Sequence, residues 1–281
     1  MLGACLLDQL DGNCHTYLYA RASCSFHLAG LQNAGSVRQR MVDSVAKLRR
    51  ATARLCSELE PLEFGQPVTH VYNPLVYARA PHDAYLKRYG STPKRVVYLG
   101  MNPGPFGMAQ TGVPFGEVAL VRDWLGIRGQ VDRPPNEHPK RPIDGFACAR
   151  SEVSGARLWG ALKGRYGEPE GFFEHGFIAN YCPLVFMEES GKNRTPDKLA
   201  RSERELLFAA CDRYLAAIVA ALEPHYVIGV GKFAADRAQA VFAGGEVKIA
   251  TIPHPSPANP VANRGWLTQV DAALQPVGLT F

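Results

Sequence analysis

Four short apolar segments separated by helical patterns constrain this chain more than any other feature of its sequence. The segments are Val96–Leu99, Phe177–Ala179, Tyr226–Val230 and Val247–Ile252. The helical patterns that separate or follow them are roughly Gly155–Leu162, Ser202–Leu222, Ala234–Phe242 and Trp266–Leu274. Short apolar strands that alternate with helices indicate a parallel sheet covered on both faces. We therefore predict an α/β fold, a three-layer α/β/α sandwich with a short, mainly parallel four-stranded central sheet.

The domain limits follow from where the periodicity begins. Residues 1–35 show no clear period and are predicted to be an N-terminal extension. Ser36 and Gln39 then have the spacing of a capping box, and apolar residues recur at steps of three and four up to Leu59. We therefore predict one domain over residues 36–281, beginning with an amphipathic helix that Pro61 ends. Residues 61–93 are rich in Pro and Tyr and are predicted to be mostly irregular.

Three polar segments follow strands of the predicted sheet. They are Gly100–Glu117, Asn180–Pro183 and His254–Trp266. Binding sites in such sheets lie at the carboxyl ends of the strands, so one edge of the sheet would bring these segments together. Residues 102–150 carry little helix or strand signal, and a long loop in a compact domain is usually functional. The sequence therefore predicts an active site at this edge.

Composition limits the class of protein. Hydrophobic residues make up 46% and charged residues 20% of the chain, which is typical of a soluble globular protein. No apolar run approaches the roughly 20 residues that span a bilayer, so no membrane association is expected. The net charge of +5 is compatible with a polyanionic partner. Seven cysteines without a CxxC pair or a targeting signal indicate reduced thiols in an intracellular protein.

Several motifs suggest other functions, and the sequence disfavours each of them. Gly229–Ala234 fits the GxGxxA dinucleotide fingerprint, but Glu246 precedes the next strand instead of ending it. Close packing of helix on sheet explains these glycines better. The cysteine spacing does not favour an iron–sulfur site, and neither a zinc-deaminase signature nor a GxSxG elbow is present. We therefore expect neither a metal nor a cofactor.

Three segments together resemble one family. Gly100–Glu117 reads GMNPGPFGMAQTGVPFGE, Asn180–Leu184 reads NYCPL, and His254–Trp266 reads HPSPANPVANRGW. In order and spacing they are similar to the motifs of the single-strand-selective monofunctional uracil-DNA glycosylases, within the uracil-DNA glycosylase superfamily. The resemblance covers roughly residues 61–275. It implies a base-excision repair enzyme that flips uracil or a C5-modified uracil out of single- or double-stranded DNA. Hydrolysis of the N-glycosidic bond would leave an abasic site.

The resemblance also implies roles for individual residues. Asn102 would position the attacking water, and His254 would donate a hydrogen bond to O2 of the departing uracil anion. Asn180 would accept from N3–H and donate to O4, a pattern that cytosine reverses. The flipped base would stack on Phe115.

The resemblance assigns further residues to the base site and to the DNA. Met101 is expected at the base site, and Gly104 would admit C5 substituents because it has no Cβ beside that edge of the base. The expected DNA contacts, which form a wedge that enters the duplex, are Ser256, Pro257, Ala258, Asn259, Asn263 and Arg264. The family pattern has arginine at the position of Ala258, and a methyl group cannot fill the vacated base space, so weaker product binding and less efficient action on duplexes are expected. No lysine stands in a motif position, so cleavage of the strand is not expected.

Two other functions stay open at this point. One is a nucleic-acid-binding module of the same fold that has lost catalysis, although the presence of both Asn102 and His254 argues against it. The other is an N-glycosidase that acts on free nucleosides. For the glycosylase we expect a monomer that acts inside the cell, with the DNA.

Overall fold

The predicted strands pair into one sheet in the computed structural model, which describes residues 43–91 and 93–281. The helices and strands follow one another as α1 (residues 43–59), β1 (Val68–Tyr72), α2 (Pro74–Tyr77), α3 (Arg79–Tyr89), β2 (Val96–Gly100), α4 (Met108–Thr111), a π-helix (Leu120–Trp124), α5 (Val153–Tyr166), α6 (Pro169–Phe173), β3 (Gly176–Asn180), β4 (Val185–Glu188), β5 (Asn193–Arg194), α7 (Arg201–Leu222), β6 (Tyr226–Val230), α8 (Lys232–Val241), β7 (Lys248–Ile252) and α9 (Trp266–Leu274). Short 3₁₀ turns occur at Gly145–Ala147, Pro196–Lys198, Ala262–Arg264 and Gln275–Val277.

The central sheet has four strands in the order β3-β2-β6-β7, and all three pairings are parallel. Every residue of β2 and β3 is buried, and so is every residue of β6 after Tyr226. Burial of consecutive residues means that both faces of the sheet are covered, as expected for strands flanked by helices. The predicted α/β fold is confirmed, and the sheet is parallel throughout.

The strands end level with one another. Gly100 pairs with Asn180 across β2 and β3, and Val230 pairs with Ile252 across β6 and β7. The next residues of the chain therefore leave from a single edge of the sheet, which is the carboxyl edge where ligands bind in α/β folds. The predicted convergence of the three polar segments at one edge is confirmed.

Helix α1 has the predicted apolar face. Leu48, Leu55 and Leu59 are buried on it, and the helix ends before Pro61. The predicted extension, residues 1–35, and the predicted capping box lie outside the described residues. The described residues from Asp43 onward form one compact unit.

The prediction that residues 61–93 are mostly irregular is wrong, because β1, α2 and α3 lie there. Pro74 is the first residue of α2, where Asn73 caps the helix by accepting a hydrogen bond from Leu75 N at 3.1 Å. Pro81 lies in the first turn of α3. A proline breaks a helix interior, but in the first turn its missing N–H has no intrahelical partner to lose.

A second sheet was not predicted. Strands β1, β4 and β5 form it in that order, and both pairings are antiparallel. Strand β1 mixes polar and apolar residues, and β5 has only two residues. Strand β4 does carry a short apolar run, but it follows β3 after only four residues and was not recognised as a separate strand.

The glycines of the GxGxxA segment serve packing, as the sequence suggested. A Cβ on Gly229 would lie 2.6 Å from the Cα of Ala235, so any side chain would push α8 off the sheet. Lys232 forms an ion pair with Asp236 at 2.6 Å.

Of the seven cysteines, Cys56, Cys148, Cys182 and Cys211 lie in the described part of the chain, and all four are free thiols. None of the described helices combines the length and the apolarity needed to cross a bilayer.

Candidate active site

Asn102 lies just past the end of β2 and is held by the segment that follows β3. Its amide nitrogen Nδ2 donates to the carbonyl oxygen of Leu184 at 3.2 Å. A second, longer contact joins Nδ2 to the carbonyl of Pro103 at 3.5 Å. With the nitrogen engaged in this way, the amide oxygen Oδ1 accepts no hydrogen bond from the described residues. An oriented amide oxygen is a good acceptor for a water molecule and a poor base.

Asn180, the last residue of β3, is buried, with 6% of its surface exposed. Its Nδ2 donates to the thioether sulfur of Met108 at 3.2 Å, which uses one of its two N–H groups. The amide oxygen points toward Gly100, because a Cβ built on Gly100 would overlap that oxygen. The same Cβ would lie 2.6 Å and 2.8 Å from two ring carbons of Phe115. Gly100 therefore leaves room for an amide and an aromatic ring to meet at the end of the sheet.

The backbone of Phe115 is in the left-handed region, with φ of 52°. A bulky residue rarely adopts this conformation, and such strain persists only where surrounding contacts hold it in place. Helix α5 supplies two of those contacts. The indole nitrogen of Trp159 donates to the carbonyl of Pro114 at 3.2 Å, and Gly155 lets the helix approach so closely that a Cβ there would overlap the Phe115 carbonyl. The ring of Phe115 is thus held at the sheet edge by its turn.

His254 follows β7 and faces the same site. Its ring centroid lies 6.1 Å from that of Phe115. The backbone N–H of Ser256 donates to Nδ1 of His254 at 3.1 Å, so Nδ1 is an acceptor and the proton of the neutral ring is on Nε2. Burial of the ring lowers its pKa from 6.5 to about 4. At neutral pH His254 is therefore an uncharged ring that offers one N–H donor.

Gly104 lies against the carboxyl group of Glu152, which is partly buried. A Cβ on Gly104 would be 2.8 Å from the carboxyl carbon of Glu152 and would overlap one of its oxygens. Burial raises the pKa of Glu152, while hydrogen bonds from the backbone of Phe106 and Ser154 lower it in part. The space beside Gly104 is therefore bounded by a carboxylate that the sequence did not indicate.

Met101 connects the first two segments through its backbone. Its carbonyl accepts a hydrogen bond from Cys182 N at 2.9 Å, and the neighbouring Gly100 carbonyl accepts one from Tyr181 N at 2.9 Å. Its side chain is partly exposed at the sheet edge. The loop after β2 and the segment after β3 are thus joined directly through their backbones.

The segment from His254 to Trp266 is tied together by its own side chains. Asn259 donates from Nδ2 to the carbonyl of His254 at 2.9 Å and accepts from Val261 N at 3.1 Å. Asn263 donates to the carbonyl of Pro257 at 2.9 Å and accepts from Arg157 Nη2 at 2.8 Å. Both asparagines, which were predicted to contact DNA, thus use their side chains to hold the loop, and Asn263 also joins it to Arg157 of α5.

The rest of the predicted wedge faces outward. Pro257 and Ala258 are exposed, and the hydroxyl of Ser256 accepts from Ala258 N at 3.2 Å. The side chain of Arg264 is exposed and bonds to no other described residue. These residues form a protruding turn beside His254, and their contact with DNA stays a prediction.

The roles of three residues at this site were not predicted, although Gly100 lies in the first predicted segment. Gly100 and Glu152 act through contacts described above, and Arg157 of α5 fixes the loop after β7 by donating to the carbonyl of Pro255 at 3.0 Å and to Asn263. Each depends on a partner far away in the chain, so no local pattern marks them. Within residues 43–91 and 93–281, no group of three or more His, Cys, Asp or Glu could hold a metal ion.

This chain is similar to known proteins over most of its length. The family model for the uracil DNA glycosylase superfamily matches residues 87–275. A protein of Rattus norvegicus named single-strand selective monofunctional uracil-DNA glycosylase is 52% identical over 228 residues, which cover 80% of this chain and 82% of that protein. The proteins of that name from Mus musculus and Bos taurus are 51% and 50% identical, again over 80% of this chain, and the match covers 82% and 84% of them.

A solved structure shares the fold. The crystal structure of wild-type Pedobacter heparinus SMUG2 matches with a TM-score of 0.57 and 15% sequence identity, covering 81% of this chain and 97% of that one. The family model and the similarity to the three mammalian proteins both extend over most of the chain. The chain therefore belongs to the uracil-DNA glycosylase superfamily and, within it, to the single-strand selective monofunctional uracil-DNA glycosylases.

Proposed function

We propose that this protein removes uracil and C5-modified uracils from DNA by hydrolysing the N-glycosidic bond and leaving an abasic site. The observation that carries the proposal is the meeting of Asn102, Phe115, Asn180 and His254 at one edge of the sheet, from three separate segments. The names of relatives about half identical in sequence support uracil in DNA as the substrate.

The proposed reaction begins with a water held by Asn102. Uracil leaves through N1 as an anion, so the carbon left behind, C1′, becomes electron-poor before the water bonds to it. A water aligned by an amide oxygen can attack such a carbon without being ionised first, and Oδ1 of Asn102 accepts from no described residue and is available for this task. As the new C–O bond forms at C1′, the water releases a proton to the solvent and the uracil anion takes one up, so the products are an abasic sugar and neutral uracil.

His254 acts on the leaving group in this proposal. The negative charge of the uracil anion spreads onto O2 and O4, and a donor aimed at O2 stabilises it as it develops. The Nε2–H of the neutral ring is such a donor, since Ser256 fixes the opposite nitrogen as an acceptor. Preorganised donors in a buried site need no rearrangement during the reaction, which is why they contribute strongly.

Asn180 and Phe115 select the base. Asn180 has one N–H left for O4 of uracil and an oxygen that can accept from N3–H. Cytosine presents a donor where uracil has O4 and an acceptor where uracil has N3–H, so it would leave both groups of a buried amide unpaired. Stacking on an aromatic ring adds about 1–3 kcal/mol per base.

The proposed enzyme is monofunctional. The segments Gly100–Glu117, Asn180–Leu184 and His254–Trp266 contain no lysine, so none of them offers an amine for a Schiff base with the sugar. We further propose that residues 36–281 are the catalytic domain, that residues 1–35 extend it, and that the protein acts as a monomer inside the cell, with the DNA.

The test of this function is a gel assay with end-labelled oligonucleotides that carry uracil or 5-hydroxymethyluracil. We expect alkali-sensitive abasic sites in both, with no strand break before alkali. Binding without abasic sites would instead identify a binding module that has lost catalysis. Hydrolysis of free deoxyuridine, together with its competition against oligonucleotides, would identify a nucleoside N-glycosidase.

The low pKa of His254 predicts an unusual pH profile. Since the ring stays neutral down to about pH 4, kcat/KM on a uracil-containing single strand should be flat through pH 6.5, where an ordinary histidine titrates. Below about pH 4, a second proton on Nδ1 would oppose the Ser256 N–H and the rate should fall. Measurement of kcat/KM from pH 8 down to below pH 4 checks both the flat region and the fall. A decline centred near pH 6.5 would mean that His254 titrates normally and that the buried, neutral donor is not the active form.

Selectivity at C5 is predicted to depend on Gly104. The Gly104→Tyr variant should release 5-hydroxymethyluracil much more slowly, because the ring would fill the space beside C5, whereas uracil release should suffer less. The structure adds that the new side chain must first displace Glu152. Single-turnover rates on both bases test this, with Glu152→Ala as a control that removes the carboxylate without filling the space. An equal loss on both bases would indicate damage to the loop and no steric gate.

The exposed turn at Ala258 predicts a strand preference. Flipping from a duplex costs a few kcal/mol, and a methyl group recovers little of that cost. Uracil should therefore leave single strands and U·G mismatches faster than U·A pairs. Ala258→Arg should raise the single-turnover rate on U·A duplexes more than on single strands and should slow product release, because a guanidinium can stack in the gap and bond phosphates.

The control for Ala258→Arg is Ala243→Arg, which adds the same charge in the exposed turn between α8 and β7, at the opposite edge of the sheet. Single-turnover and steady-state rates on the three substrates are compared for wild type and both variants. If the rates of Ala258→Arg on the three substrates keep the wild-type ratio, position 258 does not lie in the wedge.

A further inference from the structure

Two arginines lie against the ring of Phe106 in the loop after β2. The guanidinium carbon of Arg150 is 3.9 Å from the ring centroid, and that of Arg141 is 5.5 Å from it. A guanidinium that stacks on an aromatic ring keeps its flat face against the ring. The N–H groups at its edge therefore stay available to a hydrogen-bond acceptor. Phe106 therefore orients two cations that come from different parts of the chain.

Neither guanidinium is neutralised by a carboxylate in the described part of the chain. Arg150 makes no side-chain hydrogen bond there. Arg141 donates from Nη1 to the carbonyl of Lys140 at 2.8 Å, and its buried Nε has no partner among the described residues. Glu152 is close in sequence to Arg150, but its carboxylate accepts from the backbone of Phe106 and Ser154. Both arginines thus carry positive charge with unused donors.

Two lysines extend this positive surface. Lys140 precedes Arg141, and Lys192 lies in the turn between β4 and β5; both are exposed. That turn packs on the arginine, since a Cβ on Gly191 would lie 3.4 Å from the guanidinium carbon of Arg141 and 3.3 Å from the Cβ of Lys140. We call Phe106, Arg141, Arg150, Lys140 and Lys192 the Phe106 patch.

The Phe106 patch borders the candidate active site. Phe106 is four residues after Asn102 in the same loop. The chain from Arg150 to Arg157 connects the patch to the other side of the site, because Arg157 holds the loop that follows β7. The patch and the predicted wedge therefore lie at the two ends of one short segment.

We propose that the Phe106 patch binds a backbone phosphate of the DNA strand that carries the flipped nucleotide, an inference that rests on the proposed action on DNA. The edge of a guanidinium matches two phosphate oxygens at once, and such charge-assisted pairs are among the stronger hydrogen bonds. A phosphate contact fixes the register of the strand without reading its sequence. A lesion-repair enzyme needs such a contact, because the bases around the lesion vary.

The test is the salt dependence of binding to an undamaged single-stranded oligonucleotide. For each phosphate that the protein no longer neutralises, the slope of log K against log[salt] should become less steep by about 0.7. We expect that change in Arg150→Gln, together with roughly tenfold weaker binding at low salt, the effect typical of removing one charge-assisted hydrogen bond. Arg150→Lys should keep a slope close to that of the wild type because it keeps the charge. Arg150 has no side-chain hydrogen bond to break among the described residues, so the variants should fold normally, and Tm monitors this.

The matched control is Arg95→Gln, which removes one charge from an exposed arginine just before β2, at the opposite edge of the sheet. It should leave the slope unchanged. Equal slopes for Arg150→Gln, Arg95→Gln and wild type would overturn the proposal. So would weaker binding of Arg150→Gln with an unchanged slope, since that pattern indicates stacking or a structural role. The DNA carries no uracil, so this outcome is independent of the abasic-site assay that tests the proposed function.

Discussion

Replacing either Asn102 or His254 by alanine is expected to lower the single-turnover rate of uracil release by about 10²–10³, the usual loss for one group that stabilises a transition state. Loss of Asn102 removes the oxygen that orients the water, while the carbonyl of Leu184 loses its partner. Loss of His254 removes the only donor proposed for O2 of the leaving anion. Both groups act chiefly on the transition state, so binding to uracil-containing DNA should weaken much less.

The measurement is a single-turnover time course with enzyme in excess, paired with a binding assay on the same oligonucleotide. His175→Ala serves as the matched control for His254→Ala, because His175 is exposed just before β3, at the opposite edge of the sheet. It should keep the wild-type rate. Rates near wild type in both active-site variants would show that the assigned mechanism is wrong. A loss of binding as large as the loss of rate would show instead that these residues stabilise the bound substrate as much as the transition state.

The sequence was sufficient to locate the four strands of the central sheet, each of which coincides with a short apolar segment. Strands β2, β3 and β6 are nearly continuous stretches of buried residues. Strand β7 is more exposed but still mostly apolar, so hydrophobicity located all four strands within one or two residues. The rule that parallel sheets bind ligands at the carboxyl edge then placed the polar segments together. The failure over residues 61–93 arose because Pro74 and Pro81 were treated as breakers, whereas each occupies the first turn of a helix.

Some residues of the candidate site were predicted from the sequence and others were not. Asn102, Asn180 and His254 were predicted because the segments that contain them resemble motifs of the uracil-DNA glycosylases, which assign a role to each position. Gly100 and Glu152 were missed because their effect comes from side chains brought close by the fold. The expected roles of Asn259 and Asn263 in DNA contact now compete with hydrogen bonds inside their own loop, which no sequence pattern specified.

The Gly100→Ala variant is expected to lower kcat/KM for uracil in DNA by on the order of 10² or more. Gly100 is a strand residue without a positive φ, so alanine suits its backbone and the effect comes from the added methyl group alone. That methyl would overlap Oδ1 of Asn180 and lie 2.6 Å from the ring of Phe115, so both must move. Losing the stack costs about 1–3 kcal/mol, and leaving the polar edge of the base unpaired costs about 1–3 kcal/mol more. Each 1.4 kcal/mol is tenfold.

Overpacking at this position could also cost stability, roughly 1–3 kcal/mol, so the rate must be measured well below the Tm of the variant. The control is Gly164→Ala in α5, where a Cβ meets nothing within 4 Å. Alanine in a helix interior should raise stability by up to about 1 kcal/mol without changing the rate. If Gly100→Ala folds and releases uracil as fast as Gly164→Ala, then the oxygen of Asn180 and the ring of Phe115 do not have to keep these positions. The base would have to be held elsewhere, since the methyl group occupies the point where the two side chains meet.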